Sequence, residues 1–139
     1  MKITSESEMI NLGLQIAKNL KIPSTIELLG DVGAGKTTLT KGIAKALKIP
    51  EEITSPSFTI SKCYVAPTGT QLVHYDFYRL SDPGLMSEDL DESISDENTI
   101  TIVEWAETVA NILPANRIII KITTTDDGAR EVAIEGLEL

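Results

Sequence analysis

Residues 30–38 read GDVGAGKTT and fit the pattern G-x-x-x-x-G-K-[ST]. No other stretch limits the fold so strongly, because this loop works only between a strand and a helix. Its glycines, Gly30, Gly33 and Gly35, let the backbone turn tightly and point successive N–H groups inward, which makes a nest for anionic oxygens. Val32, Ala34 and Thr38 are further candidate contacts in the same stretch. Lys36 is placed to reach the β- and γ-phosphates, and the Thr37 hydroxyl to ligate Mg²⁺. The flanks have the required character. Residues 25–30 (TIELLG) read as a short buried strand, and residues 37–48 (TTLTKGIAKALK) as a helix with Leu39, Ile43 and Leu47 on one face. The helix N-terminus would aim its partial positive charge at the phosphates. A glycine-rich turn that opens a helix by chance is the competing reading, and the matched flanks argue against it.

The first helix is expected to start at Ser5, which with Glu8 forms a capping box. Met9, Leu12, Ile16 and Leu20 follow at helical spacing. Residues 51–57 read as a loop, in which Ser55 before Pro56 forces extended backbone. Residues 58–65 and 71–79 alternate as strands around a turn at Pro67, Thr68 and Gly69. The resulting hairpin gives the sheet an antiparallel part. Asp82 and Pro83 read as N-cap and first residue of a short acidic helix near residues 85–90. Residues 99–105 (TITIVEW) read as a buried strand, and residues 106–113 as a helix ended by Pro114. Residues 117–125 and 130–136 read as strands joined at Asp126, Asp127 and Gly128.

A chain of 139 residues fits one domain, spanning residues 1–139. The N-terminal MKITSESEMI shows no secretory h-region, and no apolar run reaches membrane-span length, so a cytoplasmic setting is expected. Cys63 and His74 are each alone, which leaves no disulfide framework and no zinc-ligand spacing. Net charge is −9, from 12 Lys and Arg against 21 Asp and Glu. This argues against direct, strong contact with nucleic acid, though not against a place in an assembly that makes one. Acid is concentrated between residues 82 and 97. A solvated face explains it, and a surface that steers a basic partner is the sharper alternative.

Phosphoryl transfer also needs a carboxylate at a neighbouring strand end to hold the metal or its waters. Glu104 follows the run 100–103, apolar apart from Thr101, and Asp76 ends the half-apolar stretch 72–75. Either acid alone would more commonly be a strand end facing solvent. The loop at 30–38 favours the functional reading of both, with Lys36, Asp76 and Glu104 as the catalytic set. Ser55, Ser57 and Thr59 lie where such proteins place a segment that senses the γ-phosphate, and would equally serve an ordinary connection. Arg79 could stabilise transferred charge or pair with an acid. Trp105 could pack in the core or touch nucleotide or partner.

Four blocks, in order, give the chain a resemblance. They are GDVGAGKTT at 30–38, TSPSFTI at 54–60, HYDFYRL at 74–80 followed by Ser81, Asp82 and Pro83, and VEWAE at 103–107. Together they resemble the TsaE (YjeE) family, the small bacterial P-loop ATPases of tRNA threonylcarbamoyladenosine synthesis. The resemblance implies a single α/β P-loop NTPase domain with a mixed parallel and antiparallel sheet flanked by helices. It implies Mg²⁺-dependent ATP hydrolysis, weak alone and stimulated by partners. Those partners would be the subunit that transfers the threonylcarbamoyl group (TsaD-like) and its non-catalytic paralogue (TsaB-like). Carried over by position, Thr37 and Glu104 would hold Mg²⁺, Val32 to Thr37 would wrap the phosphates, and Asp76 would serve hydrolysis, by orienting the attacking water. Glu6 and Gly128 fall where the family approaches the nucleotide base. The family pattern is departed from mainly in residues 81–98.

Three other readings compete with this one. A small-molecule kinase would need cationic groups over an acceptor, and only Arg79, Arg117 and Arg130 are available, with no Arg-bearing lid. A GTPase would carry an N-K-x-D element, which is absent, so ATP is preferred. A member that has lost hydrolysis would not be expected to keep Lys36, Thr37, Asp76 and Glu104 together.

Overall fold

The apolar run Ile26 to Leu29 is interrupted only by Glu27, and the strand containing it lies at the centre of the sheet. A strand with neighbours on both sides and cover on both faces must be apolar nearly throughout. The computed structural model describes residues 1–56, 59–78, 80, 82 and 84–139. In chain order its elements are β1 (Lys2–Ile3), α1 (Glu6–Asn19), β2 (Ser24–Leu29), α2 (Lys36–Ala46), β3 (Ser61–Val65) and β4 (Gln71–Asp76). These are followed by α3 (Leu85–Ser95), β5 (Thr99–Glu104), a 3₁₀ turn (Ala106–Val109), β6 (Ile118–Thr124) and β7 (Arg130–Glu135). The strands form one sheet in the order β1-β7-β6-β2-β5-β4-β3. β6, β2, β5 and β4 run parallel, while β3, β7 and β1 pair antiparallel at the margins. The expected α/β fold with a mixed sheet is therefore found.

Strand periodicity sorts the two faces. Leu72, Ile100, Ile102, Ile26, Leu28 and Ile120 pack with Leu12 and Ile16 of α1 and Leu39 and Ile43 of α2. Val73, Tyr75, Phe77 and Val103 point the other way, onto Leu90 of α3 and Val109. Thr101 interrupts the apolar run of β5 but is fully buried, and its hydroxyl shares a hydrogen bond of 2.8 Å with that of Ser93 in α3. α1 and α2 meet backbone to backbone at Gly13 and Gly42. A Cβ on Gly13 would lie 2.8 Å from Gly42 Cα, and one on Gly42 would lie 2.9 Å from Gly13 Cα. This close approach fixes α2, and with it the loop that α2 continues.

Ser5 caps α1 as its spacing predicts, its Oγ accepting from the Glu8 N–H at 3.1 Å. The reciprocal half of the box is displaced by one residue. Glu8 Oε1 accepts from the Thr4 N–H at 3.3 Å and from the Thr4 hydroxyl, rather than from the Ser5 N–H. Other expectations need correction. The helix expected over 106–113 is only a 3₁₀ turn at Ala106–Val109. Trp105, expected to end a strand, enters that turn in the left-handed region with φ 56°. Strands expected from 58 and through 79 begin at Ser61 and end at Asp76. α3 runs to Ser95 rather than Leu90. Gly84 stands at its N-cap, and Asp82 Oδ1 accepts from the Gly84 N–H at 3.1 Å. Pro83, the other half of the expected cap, lies outside the described residues. β1 was not foreseen, since two residues carry no periodicity. The acids Asp82, Glu88, Asp89, Asp91, Glu92, Asp96 and Glu97 are all exposed, as a solvated face requires. No helix among the described residues is long and apolar enough to cross a membrane.

Candidate functional site

β2 delivers the loop 30–35, and α2 begins directly after it at Lys36. Gly35, the residue at the helix N-cap, has φ 111°, a conformation that a side chain would strain. Three strand ends converge there. On β5, Glu104 is level with Leu28 of β2 on one side and with Asp76 of β4 on the other. The crevice outside the carboxyl ends of parallel strands is where open α/β sheets bind ligands. Parity aims the side chains. Glu104 follows Ile100 and Ile102, and Asp76 follows Leu72 and His74, so both acids face the α2 side.

Lys36 is almost buried, at 6% exposure. Its Nζ donates to the Gly30 carbonyl at 2.5 Å, lies 3.4 Å from Glu104 Oε1, and sits 4.4 Å from the centre of the Trp105 ring. The Trp105 ring in turn lies 4.7 Å from that of Tyr78, tilted by 40°. Glu104 Oε2 meets His74 Nε2. Burial pushes the Glu104 carboxyl up. The hydrogen bond and charge of His74, reinforced by Lys36, outweigh it and hold the group below the usual carboxylate range. Asp76 Oδ1 accepts from the Tyr78 N–H at 2.9 Å, and the Asp76 N–H donates to the Ile60 carbonyl at 2.8 Å.

A cavity of 700 Å³ opens beside these groups. Lys36, Thr37, Ser55, Asp76, Glu104 and Trp105 line it, with exposed Val32 and half-buried Thr38 at its wall. A second cavity of 290 Å³ lies across the loop. It shares Gly33, Gly35 and Thr38 with the first, and adds Glu6, Gly128 and Arg130. The structure thus brings Glu6 and Gly128 together, although 122 residues separate them in the chain. Ala34, within the loop, is buried. Ser55 reaches the large cavity. Thr59 does not, and its hydroxyl donates to the Ser61 carbonyl at 3.1 Å. Ser57 and Arg79 lie outside the described residues.

Two site residues escaped the sequence reading. His74 has no companions for a metal in the sequence, yet it is fully buried against Glu104. Its two-residue spacing from Asp76 was the available signal. Arg130 reads in the sequence only as a spare cation. Its Nε donates to the Ala34 carbonyl at 2.9 Å, its Nη2 to the Gly33 carbonyl at 3.3 Å and its Nη1 to the Gly128 carbonyl at 2.7 Å. Arg117 is far from this site in the sheet register, its Nε bonded to Glu27 Oε1 at 2.8 Å.

The donor set can be matched against a nucleotide and its metal. Backbone N–H groups at a helix N-terminus with a lysine suit phosphate. No group of three or more His, Cys, Asp or Glu side chains suited to a metal occurs among the described residues. Magnesium does not need one, since it binds through one or two carboxylates together with phosphate oxygens and water. Thr37, Asp76 and Glu104 offer hard oxygens of that kind, so the residues present fit.

Known proteins are similar to this chain over most of its length. Residues 3–132 match the family model described as "Threonylcarbamoyl adenosine biosynthesis protein TsaE". The chain belongs to the TsaE family. A relative named "tRNA threonylcarbamoyladenosine biosynthesis protein TsaE" from Streptomyces coelicolor is 37% identical, over 93% of this chain and 90% of its own. One of the same name from Nostoc is 36% identical, over 95% of this chain and 82% of its own. The crystal structure of Bacillus subtilis YdiB superposes with a TM-score of 0.76 at 33% identity, covering 96% of this chain and 82% of that one. As a member of the TsaE family, the chain is a P-loop protein of the nucleotide-binding class.

Proposed function

We propose that this protein is a magnesium-dependent ATPase that serves tRNA threonylcarbamoyladenosine formation without itself transferring the threonylcarbamoyl group. The observation that carries this reading is the place of Glu104, level with Asp76 and in contact with Lys36, at the mouth of the phosphate loop. Val32 to Thr38 would wrap the phosphates, with Lys36 leaving Glu104 to meet them. Glu6 and Gly128 would flank the base, and Ser55 would approach the terminal phosphate. Thr37 and Glu104 would hold the metal, and Asp76 would orient the attacking water. Bound magnesium would supply positive charge to the phosphate oxygens as the terminal bond breaks.

Among the described residues Arg130 is the one cation lining the second cavity, and its guanidinium is taken up by the Gly33, Ala34 and Gly128 carbonyls, which disfavours the small-molecule kinase. We read the chain as a single cytoplasmic domain over residues 1–139, weakly active alone. Its stimulating partners would be a TsaD-like transferase subunit and a TsaB-like paralogue. Phosphate release from ATP, measured with and without those two subunits, tests the reading. Release should rise when they are added and should need magnesium. Phosphorylation of a nucleoside or sugar, with no response to the subunits, would favour the kinase instead.

A further inference from the structure

Glu104 is held from two sides. Lys36 lies at Oε1 and His74 at Oε2, and the three side chains are 4–6% exposed or less. The two contacts are unlike. Lys36 sits on a loop and helix junction and also holds the Gly30 carbonyl, a bond that phosphate oxygens could replace. His74 is fixed in the middle of β4, with Ile102 beside it on β5, and is not exposed at all. A carboxylate that holds a cation is ionised and only accepts hydrogen bonds, so in the contact with Glu104 Oε2 the proton belongs to His74 Nε2. His74 Nδ1 is buried and meets no hydrogen-bond partner among the described residues. A core histidine kept only for packing would gain nothing from a nitrogen left in that state, since an unpaired buried polar atom is costly. The bond at Nε2 is what the imidazole offers in return.

We propose that His74 is a positioning residue for the metal site. It anchors Glu104 Oε2, so that Oε1 stays aimed at the phosphate loop when Lys36 moves to the nucleotide. Ligand carboxylates are commonly oriented by such hydrogen bonds from residues behind them, and losing the partner costs about 10–100-fold in metal affinity. Lys36 would be the exchangeable contact of Glu104 and His74 the permanent one. The inference rests on the reading of Glu104 as a magnesium ligand.

The sequence contains one histidine, so ¹⁵N-histidine labelling with a histidine-free affinity tag reports on this ring alone. Nε2 should be protonated, with a slowly exchanging proton. Its resonance should move more on adding a non-hydrolysable ATP analogue with Mg²⁺ than with the analogue in chelator. An unprotonated Nε2 at neutral pH, or equal responses with and without metal, would overturn the proposal. The second arm compares His74→Leu with His74→Gln, whose amide can still donate. His74→Leu should raise the Mg²⁺ concentration that half-saturates analogue binding by about 10–100-fold. It should leave binding in chelator unchanged, and His74→Gln should recover most of the loss. Equal losses with and without metal, or a His74→Leu protein with the wild-type Mg²⁺ requirement, would make His74 a packing residue. If wild type itself bound the analogue without any Mg²⁺ dependence, the assignment of Glu104 would fall, and this inference with it. Should His74→Leu not fold, the ring spectrum of the unmodified protein decides.

Discussion

Glu104 Oε1 lies 3.4 Å from the Lys36 ammonium, at the point where β5 ends and α2 begins. One acid and one base, 68 residues apart in the chain, close the mouth of the phosphate loop. Both are nearly buried, so each depends on the other. A buried charge without its partner is costly, and the pair holds together only while both partners stay charged.

This coupling gives a pH dependence. The folded Glu104 carboxyl is held below its ordinary value of 4.5, so folding favours the ionised form. The stability it contributes is present above the unfolded value, and is lost as pH falls through the lower folded value. The difference in urea unfolding free energy between wild type and Glu104→Gln should be steady from about pH 7 to 5 and shrink below about pH 4.5. A difference that grows as the solution is acidified would contradict the assignment.

Asp76 faces the same cavity as Glu104 but is anchored by backbone at Tyr78 and Ile60 rather than by the lysine. Asp76→Asn should therefore keep its affinity for a fluorescent ATP analogue, while hydrolysis falls by about 10²-fold or more. Binding that is lost in step with hydrolysis would remove the water-orienting role.

Arg130 grips three carbonyls and joins β7 to the phosphate loop. Hydrogen bonds from a charged donor contribute about 1.5–3 kcal/mol each when well formed, and less where solvent reaches them. Arg130→Ala should loosen the loop and weaken nucleotide binding about tenfold, with little change in the unfolding midpoint. Equilibrium titration alongside urea unfolding separates the two, and unchanged affinity would show that the loop holds its shape unaided.

The contact between α1 and α2 predicts the reverse pattern. Gly42→Ala would press a methyl group into the backbone of α1, at Ile10 and Gly13. Overpacking of this kind costs about 1–3 kcal/mol, so the urea midpoint should drop clearly. Wild-type stability in Gly42→Ala would mean that the helices separate without cost.

What the sequence revealed follows from the range of each signal. The loop at 30–38 is local and reads directly, and the strand before it and the helix after it were placed to within about two residues. The cap at Ser5 was legible for the same reason. Residues 106–113 look helical by composition, but Trp105 enters in the left-handed region and only Ala106–Val109 closes, as a 3₁₀ turn. The parts contributed by distant strands could not be read from spacing. Arg130 reaches Ala34 across 96 positions, and His74 reaches Glu104 across 30. Beyond the two-residue spacing of His74 from Asp76, a lone histidine and a spare arginine carry no pattern until the sheet order β7-β6-β2-β5-β4 sets them around one loop.

The most direct test counts modified adenosines in a purified reaction of transferase subunits, tRNA, threonylcarbamoyl donor and ATP, with this protein added as wild type or as Lys36→Ala. The account predicts that wild type raises the yield of modified adenosine above that of the same reaction without it, and that Lys36→Ala does not. A Lys36→Ala reaction that keeps pace with wild type would contradict it.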